Sequence, residues 1–133
     1  SLYTIGSDLT EVLINVFTNA RDVLLHRSIC DASISINLDK SDSFVCIIIE
    51  DNAGGIEEHN LSRIFEPYFT TKHKSQGTGL GLFMTHRIIN DSMEGSIEAQ
   101  NITYTKDKNE YKSKDHIIYC NHTCSSYLKH GSV

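Results

Sequence analysis

The chain has 133 residues, one proline and no low-complexity tract, which fits a single domain over residues 1–133 with one hydrophobic core. A formal net charge of -5 and a pI near 5.7 exclude the clustered basic surface of a nucleic-acid binder, while leaving room for a local electropositive spot that holds a mononucleotide. The longest apolar run, Val45 to Ile49, is too short to span a bilayer, and four cysteines at positions 30, 46, 120 and 124 are too few for a disulfide-stapled scaffold.

From Ser7 to about Arg27, apolar residues recur at Leu9, Val12, Leu13, Val16, Phe17, Ala20, Val23 and Leu24, the spacing of an amphipathic helix. Ser7 reads as its N-cap, with Asp8 and Glu11 near the positive end of the dipole. Ala32 to Leu38 alternates as a half-buried strand does, and Asp39 to Ser43 is a polar turn. Phe44 to Glu50 reads as a central strand running directly into Asp51-Asn52-Ala53-Gly54-Gly55, so a strand delivers a carboxylate to a glycine loop. His59 to Phe65 predicts a short helix that ends before Pro67, and Thr70 to Gly77 a short polar loop. After Gly77-Thr78-Gly79-Leu80-Gly81 helical spacing returns over Leu82 to Asn90. Ser96 to Gln100 reads as a strand after a turn at Met93-Glu94-Gly95. Thr105 to Asp115 reads as a charged loop, and His116 to Cys120 as a last strand.

Three segments carry chemistry. On the first helix Asp8, Glu11, Asn15, Asn19 and Asp22 share a sector of roughly 80° beside the apolar stripe. This is either a solvated face or the edge of a cleft. Two asparagines a turn apart favour the cleft, because Asn is a poor interior helix former and its amide oxygen suits a hard cation such as Mg²⁺. Asp51 with Gly54 and Gly55 is either a turn or a place where a flat base nears the backbone and offers an amino group to a carboxylate. The glycines at 77, 79 and 81, leading into a helix, offer unhindered amides to an anion, or else form a hinge. Their spacing matches neither the phosphate loop G-x-x-x-x-G-K-[ST] nor the dinucleotide G-x-G-x-x-G. Lys72, His73 and Lys74 lie where a loop can bring a cation to a terminal phosphate; Lys72 is the candidate, and surface solubility the alternative.

Taken in order, Glu-Val-Leu-Ile-Asn-Val-Phe-Thr-Asn-Ala from Glu11, DNAGGI from Asp51, IFEPYFTTK from Ile64 and GTGLGL from Gly77 resemble the Asn, first glycine, Phe and second glycine boxes of sensor histidine kinase catalytic domains. These domains share a superfamily with gyrase-type topoisomerases, heat-shock chaperones and mismatch-repair ATPases. The resemblance runs from Leu9 to about Asn101. It implies a two-layer α/β sandwich of the Bergerat type: a mixed sheet with helices on one face and an ATP lid from Thr71 to Gly77. It further implies that Asn19 ligands Mg²⁺, that Asn15 stands near the terminal phosphate of ATP, and that Asp51 holds the adenine amino group. Gly55 would admit the base, Gly77, Gly79 and Gly81 would face the phosphates, and Ile56, Phe69, Thr71, Thr78 and Leu80 would complete the site.

Ala53 replaces a frequent glycine, and Asp22 stands where many relatives carry a basic residue, so no phosphate contact is assigned to it. The tail after Lys112 does not follow the family pattern. Its His116, Cys120, His122 and Cys124 match no common zinc spacing well and read more readily as incidental than as a metal site.

The implied activity is transfer of the γ-phosphoryl group to a histidine on a separate dimerisation domain, then relay to a response regulator receiver domain. The implied location is a cytoplasmic domain, compatible with an inner-membrane receptor as parent. Related ATPases place a carboxylate one turn before the metal-binding Asn to activate water; here that residue is Asn15, which takes no proton. This favours kinase over hydrolysing clamp. A serine-directed kinase or a non-catalytic nucleotide sensor are the other readings.

Overall fold

The computed structural model describes the backbone of residues 2–40, 44–70, 77–106 and 109–121, and side chains within 6–40, 45–70 and 77–103. Helix α1 (Leu2–His26) carries the apolar stripe expected of it, with Val12, Val16, Ala20 and Leu24 buried. It begins before Ser7, so Ser7 is interior and not the N-cap. By Thr10 the helix is already established, and its Oγ1 donates back to the Gly6 carbonyl at 2.8 Å. The helix ends in a Schellman motif: Ser28 sits at φ 52° and donates to the Leu25 carbonyl, and Ile29 donates to that of Leu24. Serine takes the left-handed position where glycine is usual, Arg27 becomes the C-cap residue, and the end falls where the apolar spacing predicts it, at about Arg27.

Strands β1 (Ile34–Lys40), β2 (Phe44–Asp51), β3 (Ser96–Lys106) and β4 (Asn109–Asn121) form one sheet in the order β1-β2-β4-β3. Every pairing among these strands is antiparallel, so the expected mixed sheet is corrected to an antiparallel one. The expected loop over 105–115 is corrected as well. It forms the end of β3 and most of β4, with Tyr104 opposite Tyr111 and Thr105 opposite Glu110. Polar residues make this hairpin because cross-strand pairing outweighs the missing apolar run.

Two short helices, α2 (Glu58–Leu61) and α3 (Gly81–Arg87), complete the fold, and α3 continues into a π-helical turn over Ile88–Ser92. The core lies between the sheet and the layer of α1, α3 and this turn: Val12, Val16, Ile47, Ile49, Ile89, Met93 and Ile97. The two-residue period of β2 puts Ile47, Ile49 and Asp51 on the helix side, so the row that builds the core ends on a buried carboxylate, 2% exposed.

Across from that row stand Ile34, Ile36 and Leu38 of β1, yet every residue of β1 is exposed. The half-buried strand expected there is corrected, because the helices stop short of the sheet edge. Among the described residues no helix is long and apolar enough to cross a membrane.

Candidate functional site

A cleft of about 520 Å³, within the range of small-molecule sites, runs along α1. From α1 it is lined by Asn15, Thr18, Asn19, Asp22, Val23 and Arg27. The expected polar row therefore divides: Asn15, Asn19 and Asp22 face the cleft, whereas Asp8 and Glu11, a turn or more earlier, are not among its lining residues. Asn15 is also tied down, its Nδ2 donating to Thr85 Oγ1 at 3.2 Å and to the Gly81 carbonyl at 3.4 Å. The first and last segments of the site are thereby joined.

The first glycine loop follows β2. Asp51 Oδ1 accepts from the Ala53 amide at 3.1 Å, which draws the loop over the carboxylate. Asp51 is buried at the end of β2 and is not among the residues that line the cleft. Asn52 locks the loop to the chain before β1: its Nδ2 donates to the Asp31 carbonyl at 2.6 Å, and its Oδ1 accepts from Ser33 N at 2.8 Å. Two residues that the sequence reading passed over complete the hold. Arg27 Nη1 donates to the carbonyls of Ala53 and Gly55, at 2.8 and 2.9 Å. Asn101 takes both backbone groups of Ile56, accepting from N at 2.7 Å and donating to O at 2.6 Å.

Ile64, Phe69 and Thr70, at the two ends of the Phe-Glu-Pro-Tyr-Phe segment, also line the cleft. The Arg63 guanidinium stacks 4.7 Å from the centre of the Phe69 ring and pairs with Glu66 at 3.2 Å. Gly77, Thr78, Gly79, Gly81 and Leu82 line it as well. Gly79 is required by its surroundings: its φ is +72°, and a Cβ there would lie 2.5 Å from the Tyr68 carbonyl carbon. Thr78 Oγ1 accepts from the Leu80 amide at 3.3 Å, and Leu80 caps α3 without a side-chain hydrogen bond. Leu80 is not among the lining residues. Thr71 and Lys72 lie outside the described residues, as do the side chains of His116 and Cys120 and all of His122 and Cys124.

Asn19 and Asp22, one turn apart, line the cleft, and Asp22 Oδ1 pairs with Arg21 Nη2 at 3.1 Å. Among the described residues no group of three His, Cys, Asp or Glu side chains forms a metal cage. Hard oxygen donors in such small number fit a Mg²⁺ ion that also takes phosphate oxygens and water, and do not fit a protein-only site. Away from the cleft, burial, reinforced by the charge of Asp39, pushes the Cys46 thiol up from its ordinary value.

Residues 4–118 match the family model described as histidine kinase-, DNA gyrase B- and HSP90-like ATPase. The two-component sensor PprA of Pseudomonas aeruginosa is 43% identical over 100 residues, covering 72% of this chain and 11% of that protein. The catalytic domain of the histidine kinase ThkA superposes with a TM-score of 0.65 at 27% identity, over 86% of this chain and 66% of that one. Full-length ShkA, solved in complex with AMPPNP, shares the fold with a TM-score of 0.64 at 17% identity, over 88% of this chain and 22% of that one. The chain thus spans about a tenth of the length of the curated relative.

Proposed function

The chain belongs to the histidine kinase-, DNA gyrase B- and HSP90-like ATPase family, and from that premise we propose that it is the ATP-binding catalytic domain of a sensor histidine kinase. The observation that carries this reading is the convergence of Asn15, Asn19, Gly55 and the glycines 77, 79 and 81 on one cleft of about 520 Å³.

ATP would lie with its base toward the loop after β2 and its phosphates toward the start of α3. Asp51 would be the acceptor for the adenine amino group, and the amides of Gly77, Gly79 and Gly81 would be donors to phosphate. Asn19 would hold Mg²⁺. When bound, that ion neutralises charge on the phosphates. The protein's part is to place the terminal phosphoryl group and to stabilise charge around it, which is the larger share of phosphoryl-transfer catalysis.

Asn15 favours transfer over hydrolysis. An amide in the position next to the phosphates takes no proton from water, so the site lacks a general base there and keeps its phosphoryl group for another acceptor. That acceptor would be a histidine on the dimerisation domain of the same kinase, with a response regulator receiver domain next in the relay. His86 does not suit the role: its ring packs on Phe65, 5.4 Å between centroids, and contacts Asn90 Nδ2 at 3.0 Å.

The test is to incubate the chain and Mg²⁺ with γ-labelled ATP, with and without the dimerisation domain of its parent protein. Label appearing on that domain in an acid-labile, base-stable form is the expected result. Steady phosphate release without any labelled acceptor would instead identify a hydrolysing clamp.

A further inference from the structure

We propose that Arg27 and Asn101 are positioning residues that hold the loop 53–56 in one shape and thereby set the preference for adenine over guanine. The proposal rests on the ATP reading above and assigns to it two residues outside the four sequence boxes. Arg27, the C-cap of α1, takes the carbonyls of Ala53 and Gly55, while Asn101, in the middle of β3, takes the amide and the carbonyl of Ile56. Four backbone polar groups within four residues are therefore satisfied from two separate elements. The fit is close, because a Cβ on Gly54, itself at φ +102°, would stand 3.3 Å from Arg27 Nη1.

The consequence is chemical. Gly55 and Ile56 form the wall that a base would meet. A guanine brings a carbonyl acceptor at O6 and donors at N1 and N2, and it needs free backbone partners of the opposite kind to bind there. With the Gly55 carbonyl on Arg27 and both Ile56 groups on Asn101, the wall withholds those partners. A carboxylate acceptor in the Asp51 position then favours the amino group of adenine. Releasing either clamp frees the carbonyl of Gly55 or both groups of Ile56, so guanine gains contacts while adenine loses a fixed surface.

The experiment measures dissociation constants of Mg-ADP, Mg-GDP and Mg-tripolyphosphate for the full chain and for Arg27→Ala, Arg27→Lys and Asn101→Ala. A thermal melt of each variant fixes a temperature at which all are folded. ADP binding is expected to weaken about five- to tenfold in both alanine variants, the effect of losing one or two hydrogen bonds. Tripolyphosphate should hold its affinity, the ratio of GDP to ADP affinity should rise, and Arg27→Lys should recover part of the loss. A parallel loss of all three ligands, or an unchanged ADP to GDP ratio, overturns the proposal. A folded wild-type chain that binds tripolyphosphate but neither nucleotide overturns the ATP reading itself, and the proposal with it.

Discussion

The side-chain amide of Asn15 and the hydroxyl of Thr85 lie 3.2 Å apart, joining the middle of α1 to α3 across seventy residues of sequence. Thr85 is fully buried, so this bond satisfies a hydroxyl that has left water. Asn15 thus has a structural duty besides the one its place beside the phosphates suggests. Asn15→Ala should lower stability by about 1–3 kcal/mol, because a buried hydroxyl loses its partner. Thr85→Val, which removes the hydroxyl while keeping the shape, should cost less. Urea melts of both single variants and the double variant should give a coupling of about 0.5–1.5 kcal/mol; additive effects would show that the bond contributes nothing.

Gly79 and Gly81 should respond in opposite ways to the same change. A methyl at Gly79 meets the Tyr68 backbone at a φ that alanine rarely adopts, so Gly79→Ala should destabilise the fold by about 1–3 kcal/mol or more. A methyl at Gly81 meets nothing within 4 Å and sits in the first turn of α3. Gly81→Ala should hold or raise stability, by up to about 1 kcal/mol from helix propensity. The same methyl projects beside the cleft and should weaken ATP binding. Paired melting and titration experiments check both claims, and equal melting temperatures for the two variants would contradict the packing described.

Cys46 and Cys30 should differ in reactivity. Cys46 is buried and Cys30 exposed, and burial together with the Asp39 charge holds the Cys46 proton more firmly than in the unfolded chain. Iodoacetamide at pH 8 followed by peptide mapping should find Cys30 modified first and Cys46 protected until the chain unfolds. The sign for stability follows from linkage. Below the ordinary thiol value of 9.0 both states keep the proton and stability is independent of this group. Above it the unfolded chain ionises first, so stability falls as pH rises. Melts between pH 8 and 10 should show that fall, and Cys46→Ala should reduce it.

Much of the fold was legible because local signals agreed with the tertiary outcome. The apolar stripe of α1 and the β-branched run of β2 both bury the faces their periods predict. The misreadings share a cause. The β3–β4 hairpin is polar, and its existence depends on a partner strand that no local window contains. Strand β1 has the alternation of a half-buried strand, but burial depends on how far the helix layer extends. The start of α1 was placed too late, because Ser7 has the side chain of a cap yet lies inside a helix that begins at Leu2.

The site divides along the same line. Asn15, Asn19 and the glycines were readable as types in an order, and the cleft gathers them. Arg27, Thr85 and Asn101 were not, because each acts on a backbone or side-chain group far away in sequence. Only the folded chain brings these partners within hydrogen-bonding distance.

The most direct test of the central claim is thermal unfolding of the chain with Mg-ATP, beside Asp51→Asn and Asn19→Ala. With ATP at a hundred times its dissociation constant, the wild type should gain about 2.7 kcal/mol of stability. At the same concentrations Asp51→Asn should lose most of that gain, since its amide sets a donor against the adenine amino group. Asn19→Ala should retain a gain in ATP without Mg²⁺ but lose the increment that the ion adds. A wild-type chain that melts at the same temperature with and without Mg-ATP would contradict the assignment of the cleft as an ATP site.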